Sequence, residues 1–206
     1  MKKTLSAALA ILLAIGMLSF MAATVNATQE GDYTYEVANG EATITGYTGS
    51  GGDVTIPSTL GGCPVTKIGD GTFRGDNSLI SVRIPSSVTS IGADAFWGCC
   101  KLTNARIPDS VVSIGEEAFY DCPLWNVTIP KSVKTIGAHA IGFEGGRSIY
   151  TKISALTLFC YKNTAGQTYA KNYGFAYELL DGTGFENFWR ALANIFRIFF
   201  NNYFHI

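Results

Sequence analysis

The sequence predicts a β-rich solenoid, a stack of similar coils of about 23 residues each. Three observations support this fold class. A sequence motif repeats at a nearly constant interval, each copy contains short runs in which apolar residues alternate with others, and glycine or proline stands where a coil must turn. The motif reads IPSSVTSIGADAF at 84–96, IPDSVVSIGEEAF at 107–119 and IPKSVKTIGAHAI at 129–141. One coil cannot enclose its own apolar face, so its stability depends on its neighbours.

Two series of residues mark the period and number the coils from one to four. The first consists of isoleucines in steps of 23, 23 and 22 residues, each followed by glycine: Ile68, Ile91, Ile114 and Ile136. The second keeps the same steps: Phe73, Phe96, Phe119 and Ile141. Equivalent members of adjacent coils are therefore expected to lie next to each other in the stack.

Each coil is predicted to contain a short strand, a proline corner, a second extended segment, a glycine corner and an Ala-Phe pair whose side chains fill the core. The alternation of Val82 and Ile84 is typical of a half-buried strand. Pro85 ends that strand because proline has no amide hydrogen to donate to a ladder. In the first repeat, a five-residue insertion in LGGCP widens the interval between Pro57 and Ile68.

We place the repeats at 57–158. The segments on both sides of them are predicted to be caps. The N-terminal cap, 28–56, contains Asn39-Gly40, the preferred dipeptide of a two-residue hairpin turn. In the C-terminal cap, 159–182, Thr164 and Gln167 form a capping-box pattern at the start of a short helix. Gly174 would end that helix.

The first 27 residues have the order of a secretory signal peptide. Lys2 and Lys3 precede an apolar run at 5–20, and the small residues of TVNA end at Ala27. A retained membrane anchor is the alternative, but the marginal length and the small residues favour cleavage. We therefore expect a secreted or cell-surface protein.

Charge and motif content exclude several classes of function. The chain has 15 Lys+Arg against 16 Asp+Glu, so it lacks the basic footprint that nucleic acids require. No nucleophile, base and orienting group form a recognisable motif, and His139 falls at an outward corner with Asp94 and Glu117, where a solvated side chain is expected. We expect neither catalysis nor a cofactor.

The five cysteines do not form a metal-binding pattern. Cys99-Cys100 is not a CxxC pair, and neither histidine stands at ligand spacing. Most of the cysteines are expected to be small buried residues. Cys99 and Cys122 fall at equivalent positions of adjacent coils, so a disulfide between them is the alternative to two buried thiols.

Strand alternation predicts a partner-binding surface on the outer face. If Val82 and Ile84 point inward, Ser81 and Arg83 point outward. Stacking then predicts one row made of Thr55, Arg83, Arg106, Thr128 and Thr157, and a second row made of Ser81, Asn104 and Asn126. The two arginines either extend into water or meet nearby acids such as Asp109, or they receive a carboxylate from a partner.

The last segment, 183–206, has the pattern of an amphipathic helix. Its wide apolar and aromatic face comprises Phe188, Trp189, Leu192, Ile195, Phe196, Phe199 and Tyr203. A polar stripe with two arginines argues against a spanning helix. The helix either packs on the last coil as an extra cap or lies on a membrane surface or a partner helix.

The repeated motif, as it stands at 84–96 and 107–119, resembles that of the BspA-type leucine-rich repeat proteins of bacteria. The likeness covers about 32–180, including the opening GEATITGYTGS and the closing LTLFCYKNTAGQTYAKNYGF. It departs from the family at Ile141, where phenylalanine is expected, and at Ala105, where a larger aliphatic residue is usual, so coils three and four are expected to pack less tightly. The resemblance implies a surface-displayed binding protein whose partner is a host matrix protein, a bacterial surface protein or a glycan.

Overall fold

The structure is a computed structural model that describes residues 27–145 and 150–181. The signal peptide before Ala27 and the C-terminal helix of 183–206, both predicted from the sequence, lie outside the described residues. The described residues form one helix, α1 (Ala165–Tyr173), and sixteen strands: β1 (Thr28–Glu30), β2 (Tyr33–Ala38), β3 (Glu41–Tyr47), β4 (Gly52–Thr55), β5 (Thr59–Leu60), β6 (Cys63–Ile68), β7 (Leu79–Arg83), β8 (Ser90–Ile91), β9 (Asn104–Arg106), β10 (Ser113–Ile114), β11 (Asn126–Thr128), β12 (Thr135–Ile136), β13 (Phe143–Glu144), β14 (Thr151–Lys152), β15 (Thr157–Cys160) and β16 (Ala176–Leu179).

The coils stack in register, which confirms the solenoid. Five parallel strands, β3, β6, β8, β10 and β12, form a continuous sheet that we call wall one. Its isoleucines pair from coil to coil along the stack: Ile44, Ile68, Ile91, Ile114 and Ile136. Burial of this column is shared between neighbours, so each coil covers the apolar face of the next.

The phenylalanine side chains of the repeats form a second column in the core. The ring of Phe96 lies between those of Phe73 and Phe119, with centroids 5.0 and 4.9 Å apart and planes within 8° of parallel. All three rings are buried. The column continues to Tyr47 of β3 on one side and, through a bridge between Phe119 and Ile141, into coil four on the other.

The glycine after each isoleucine allows close approach between coils. A Cβ on Gly115 would lie 2.4 Å from the backbone nitrogen of Ala93, and one on Gly137 would lie 2.3 Å from that of Glu116. Both contacts are with backbone atoms, which cannot move away by a change of rotamer as a side chain can. In each repeated Ile-Gly pair, the isoleucine side chain therefore packs in the core, and the glycine allows the neighbouring coil to approach closely.

The opposite wall of the solenoid, which we call wall two, consists of two separate parallel sheets. One has the order β4-β7-β9 and the other β11-β15-β16. Some Cα atoms of β9 and β11 lie within 8 Å of each other, yet the two strands share no ladder. We call this interruption the seam, and it falls between coils three and four, where Ala105 led us to expect looser packing.

The two caps have the predicted local structure. At the N-terminus, β2 and β3 form an antiparallel hairpin whose turn residues Asn39 and Gly40 have φ values of 54° and 77°. At the C-terminus, Thr164 accepts a hydrogen bond from the backbone of Gln167, and Gly174 ends α1 in the left-handed conformation. The Gln167 side chain accepts in turn from the backbone of Asn163, at 2.9 Å. The insertion in the first repeat forms the antiparallel pair β5 and β6.

Replacing the central ring of the phenylalanine column should strongly destabilise the protein. We expect Phe96→Ala to lower the free energy of unfolding by about 3–5 kcal/mol, because the cavity is enclosed by the rings above and below it. Urea denaturation followed by circular dichroism measures the change. The control, Ile80→Ala, removes a side chain that is 49% exposed and should change stability by less than about 0.5 kcal/mol. Equal effects of the two substitutions would contradict the stacked core.

Candidate binding surface

The outer face of wall two brings the first part of both predicted rows together. Thr55, Arg83 and Arg106 pair in register across three neighbouring strands. Ser81 and Asn104 form the second row beside them, and the ladder extends this row to Asp53. The residues between the rows point into the core and are buried: Val54, Val82 and Ala105. The role of the two rows in binding stays a prediction.

The two arginines are neighbours of like charge that have no acidic partner within the described chain. Strands in register lie about 4.8 Å apart, and like charges directly opposed across strands are destabilising. In residues 27–145 and 150–181 the ion pair is between Arg74 and Asp94, at 2.8 Å, on another corner of the coils. Asp109 lines a cavity with Arg106 but forms no salt bridge with it. The guanidinium groups of Arg83 and Arg106 therefore keep their hydrogen-bonding capacity for solvent or a ligand.

The arginines stand between two open depressions. One, of about 330 Å³, is lined by Asp53, Ser81, Arg83, Asn104 and Arg106, together with Val54, Thr55 and Val82. Within it the Ser81 hydroxyl donates to the Asp53 carboxylate at 2.5 Å, so this acid is already engaged. The other, of about 600 Å³, runs along the proline corners of three coils. Both volumes fall in the range of small-ligand sites, about 300–1,000 Å³.

The seam places Asn126 and Thr128 across a cleft from the first sheet. A cavity of about 370 Å³ separates β9 from β11 and is lined by Asn104, Arg106, Asp109, Asn126 and Thr128, together with Ala105, Ile107, Pro108 and Pro130. The rows therefore do not continue as an unbroken ladder past Arg106. Asn126 and Thr128 are exposed on the far side of the cleft, where both can contact a ligand that enters it.

The predicted position of Thr157 is wrong. Thr157 pairs with Asn126, not with Thr128, and it is only 8% exposed. The partner of Thr128 is Phe159. A shift of two residues along a strand keeps the same side chains pointing inward, so the alternation at Leu156, Leu158 and Cys160 fitted both registers. Thr157 does not belong to an exposed binding row.

Sequence reasoning missed Trp125, which is 67% exposed at the rim of the seam. It lies in a cavity of about 500 Å³ together with Thr103, Asn104 and Asn126. The indication was in the sequence: a tryptophan takes the outward position that Ile80 and Thr103 hold in the preceding coils. The two predicted rows were defined by polar side chains, so Trp125 was left out although the alignment of Asn126 with Asn104 also places it outward.

The buried cysteines form a ladder of free thiols. Cys99 donates to the carbonyl oxygen of Phe73, and Cys122 donates to that of Phe96, both at 3.1 Å. Burial, with a contribution from the neighbouring Cys99 thiol, raises the pKa of Cys122 well above its usual range. All five cysteines are free, so the structure shows buried thiols here and not the alternative disulfide.

The expected solvation of His139 is also wrong. Its corner position is as predicted, since Asp94, Glu117 and His139 share a left-handed backbone with φ of 54°, 50° and 50°. The imidazole, however, stacks on Tyr150 with centroids 3.7 Å apart and meets the ring of Phe143 edge-on at 4.8 Å. Its Nδ1 atom is buried and has no hydrogen-bond partner within the described part of the chain. His139 is part of an aromatic cluster at the end of the repeats.

Across 27–145 and 150–181, no three side chains of His, Cys, Asp or Glu are grouped so that they could hold a metal ion. In that same part of the chain, no helix has the length and hydropathy needed to cross a membrane.

These features define the class of the molecule: a parallel β-solenoid repeat protein with a polar outer face. The family profile described as the BspA type leucine rich repeat region matches residues 66–164, in six copies. A leucine-rich repeat protein from Bacteroides capillosus is 31% identical over 58% of this chain and 99% of its own, with a TM-score of 0.50. The chain belongs to the BspA-type leucine-rich repeat family.

Two further solved structures are similar to parts of the chain. The leucine-rich repeat protein of T. pallidum is 29% identical over 65% of this chain and 71% of its own, with a TM-score of 0.49. A leucine rich cell surface protein from Faecalibacterium prausnitzii is 25% identical over 66% of this chain and 54% of its own, with a TM-score of 0.36. No curated protein matches the sequence.

Proposed function

We propose that this chain is a secreted or cell-surface binding protein that presents the outer face of wall two to a protein or glycan partner. The observation that carries the proposal is the pair Arg83 and Arg106, held in register without an acidic partner in the described chain. Secretion is supported by the order of charged, apolar and small residues in the first 27 positions. Membership of the BspA-type leucine-rich repeat family is consistent with a binding role.

The chemistry of the face suits binding better than catalysis. Leucine-rich repeat proteins are generally binding scaffolds without enzymatic activity. An arginine side chain stays charged at physiological pH, so it cannot act as an acid or base there, but it binds a carboxylate through two parallel hydrogen bonds. The neighbouring Thr55 and Asn104 can donate and accept hydrogen bonds beside such a contact, and the Ser81 oxygen can accept one.

The size of the face indicates a small epitope. The rows cover three paired strands at about 4.8 Å spacing, with Asn126 and Thr128 beyond the seam, and extend over roughly 15–20 Å. A standard protein interface buries about 800 Å² on each partner, which is more than two short rows of side chains supply. We therefore propose a loop, a short peptide or an oligosaccharide as the bound element, with firm adhesion depending on several copies acting together.

Removing both arginines should strongly weaken partner binding. We expect Arg83→Ser with Arg106→Ser to weaken binding about tenfold or more for each guanidinium that contacts the ligand, because each charge-assisted bond contributes about 1.5–3 kcal/mol. The measurement is surface plasmon resonance against host-matrix and bacterial-surface preparations. The control, Lys134→Ser with Lys171→Ser, removes the same charge from exposed positions elsewhere and should bind as wild type. Retention of full binding by the arginine double variant would disprove the role of this face.

A second candidate function involves the amphipathic pattern of 183–206. We propose that this segment docks on a membrane surface or a partner helix, because its wide aromatic face is large for a surface helix. Deleting the residues after Gly182 should abolish flotation with liposomes, or association with a partner, and leave the melting temperature unchanged. A lowered melting temperature with unchanged flotation would instead assign the segment to the cap of the solenoid.

A further inference from the structure

Trp125 combines an exposed side chain with a fixed backbone. Its carbonyl oxygen accepts a hydrogen bond from the backbone of Thr157, at 3.0 Å, so the main chain is held by the next coil. The indole nevertheless remains 67% exposed, although tryptophan is on average one of the more buried side chains. A large flat ring at the bend before β11 is thus exposed to a ligand while its main chain is bonded to the next coil.

The seam supplies the space beside this ring. The corner before β11 contains CPL, where the preceding coil has CCKL, and Pro123 in it has no amide hydrogen. Beyond this corner β11 shares no ladder with β9, and a depression of about 500 Å³ opens at the start of the two strands, next to the cavity of about 370 Å³ between them. Main-chain groups along the two facing strand edges are thus not used in a ladder with each other.

Polar side chains surround the indole on the other sides of the cleft. Asn104, Asn126 and Thr103 line it, and none of these side chains forms a hydrogen bond to another described residue. An amide group both donates and accepts, and so does a hydroxyl. Such a set is complementary to a ligand whose own groups both donate and accept, as the hydroxyls of a sugar do.

The surroundings of Trp125 do not suit the apolar centre of a protein interface. Such a centre needs a contiguous apolar patch, in which tryptophan is surrounded by other well-packed residues. The other exposed large apolar side chain on this face, Ile80, belongs to the coil two before that of Trp125, with Thr103 at the equivalent position between them. One apolar ring among amides matches a pyranose, which has an apolar C–H face and polar edges.

We propose that the cleft at the seam binds neutral pyranose rings of a glycan, with one ring packed on Trp125 and its hydroxyls bonded to Asn104 and Asn126. This inference rests on the proposed binding function and adds a sugar subsite beside the arginine row of the same face. Arg106 lies two residues along β9 from Asn104, about 7 Å, so an oligosaccharide of two or three units would also reach the arginine row.

The test uses the indole N–H signals of the full chain labelled with ¹⁵N-tryptophan. The sequence has three tryptophans, and Trp125→Phe assigns one of the three cross-peaks. Maltose, cellobiose, lactose, mannobiose and diacetylchitobiose are added in turn, and a wider set of neutral oligosaccharides is presented on a glycan array. We expect at least one of these sugars to move the Trp125 cross-peak saturably and to leave those of Trp97 and Trp189 in place.

Variants then separate a sugar site from a general effect on folding. Trp125→Ala should weaken binding of that sugar about tenfold, whereas Trp125→Phe, which keeps a flat ring, should retain most of it. Asn104→Ala with Asn126→Ala should also weaken it, and the control Ile80→Ala should not. All four variants should unfold at wild-type urea concentrations, because the replaced side chains are exposed.

Several results would overturn the sugar site. They are the absence of binding to every sugar on the array, equal binding by Trp125→Ala, and a shift of the Trp189 cross-peak alone. Sugar binding that begins only after deletion of 183–206 would also overturn it, because that segment would then be the occupant of the cleft. If no sugar binds but capture of a matrix or bacterial-surface protein still requires Arg83 and Arg106, the sugar site is wrong and the proposed binding function stands.

Discussion

The structure depends on parallel pairing of coils in strict register. A two-residue strand such as β8 or β10 has no independent stability, and it persists because it is bonded to a neighbour on each side. The same register aligns the isoleucines and the phenylalanine rings into two columns inside the core. Glycine at each corner permits the approach that this register requires. Position in the repeat therefore fixes which neighbour a side chain meets.

The outer face follows from the same constraint. Because Val82 and Ala105 pair in the core, Arg83 and Arg106 pair outside it, although their charges repel. A stack that served only stability would gain from a neutral residue at one of the two positions. The fold thus holds an arrangement that is unfavourable by itself and that a bound carboxylate would make favourable. This is the physical argument for binding at wall two.

The seam is the place where the repeat is imperfect. A corner that is one residue shorter, a proline within it and a small residue at Ala105 coincide where the ladder of wall two stops. The phenylalanine column and wall one continue past this point, so the core stays intact while the outer face opens. The departure from regularity therefore forms a cleft without dividing the domain.

Local patterns predicted most of the fold, and contacts between distant segments explain what they missed. The hairpin at Asn39-Gly40 and the caps of α1 depend on neighbours in sequence, and the coil period depends on simple repetition, so all three could be predicted. The register of Thr157 could not, because the segment before it breaks the period and a shift of two residues preserves the inward set. The packing of His139 depends on Tyr150, which follows the same break. On the candidate site, the arginine pair and the outward position of Trp125 were both predictable from the period, whereas the cleft beside the indole depends on the ladder that stops between β9 and β11.

The register itself can be tested by cross-linking adjacent coils. The hydroxyls of Ser90 and Ser113 lie 3.0 Å apart on paired strands, and paired residues have Cα atoms within the reach of a disulfide. Peptide mapping by mass spectrometry of oxidised Ser90→Cys with Ser113→Cys should find the two cysteines joined. Ser90→Cys with Thr135→Cys, two strands apart at about 10 Å, should not form the bond. Failure of the first pair to join, or equal joining of the second, would contradict the stacked register.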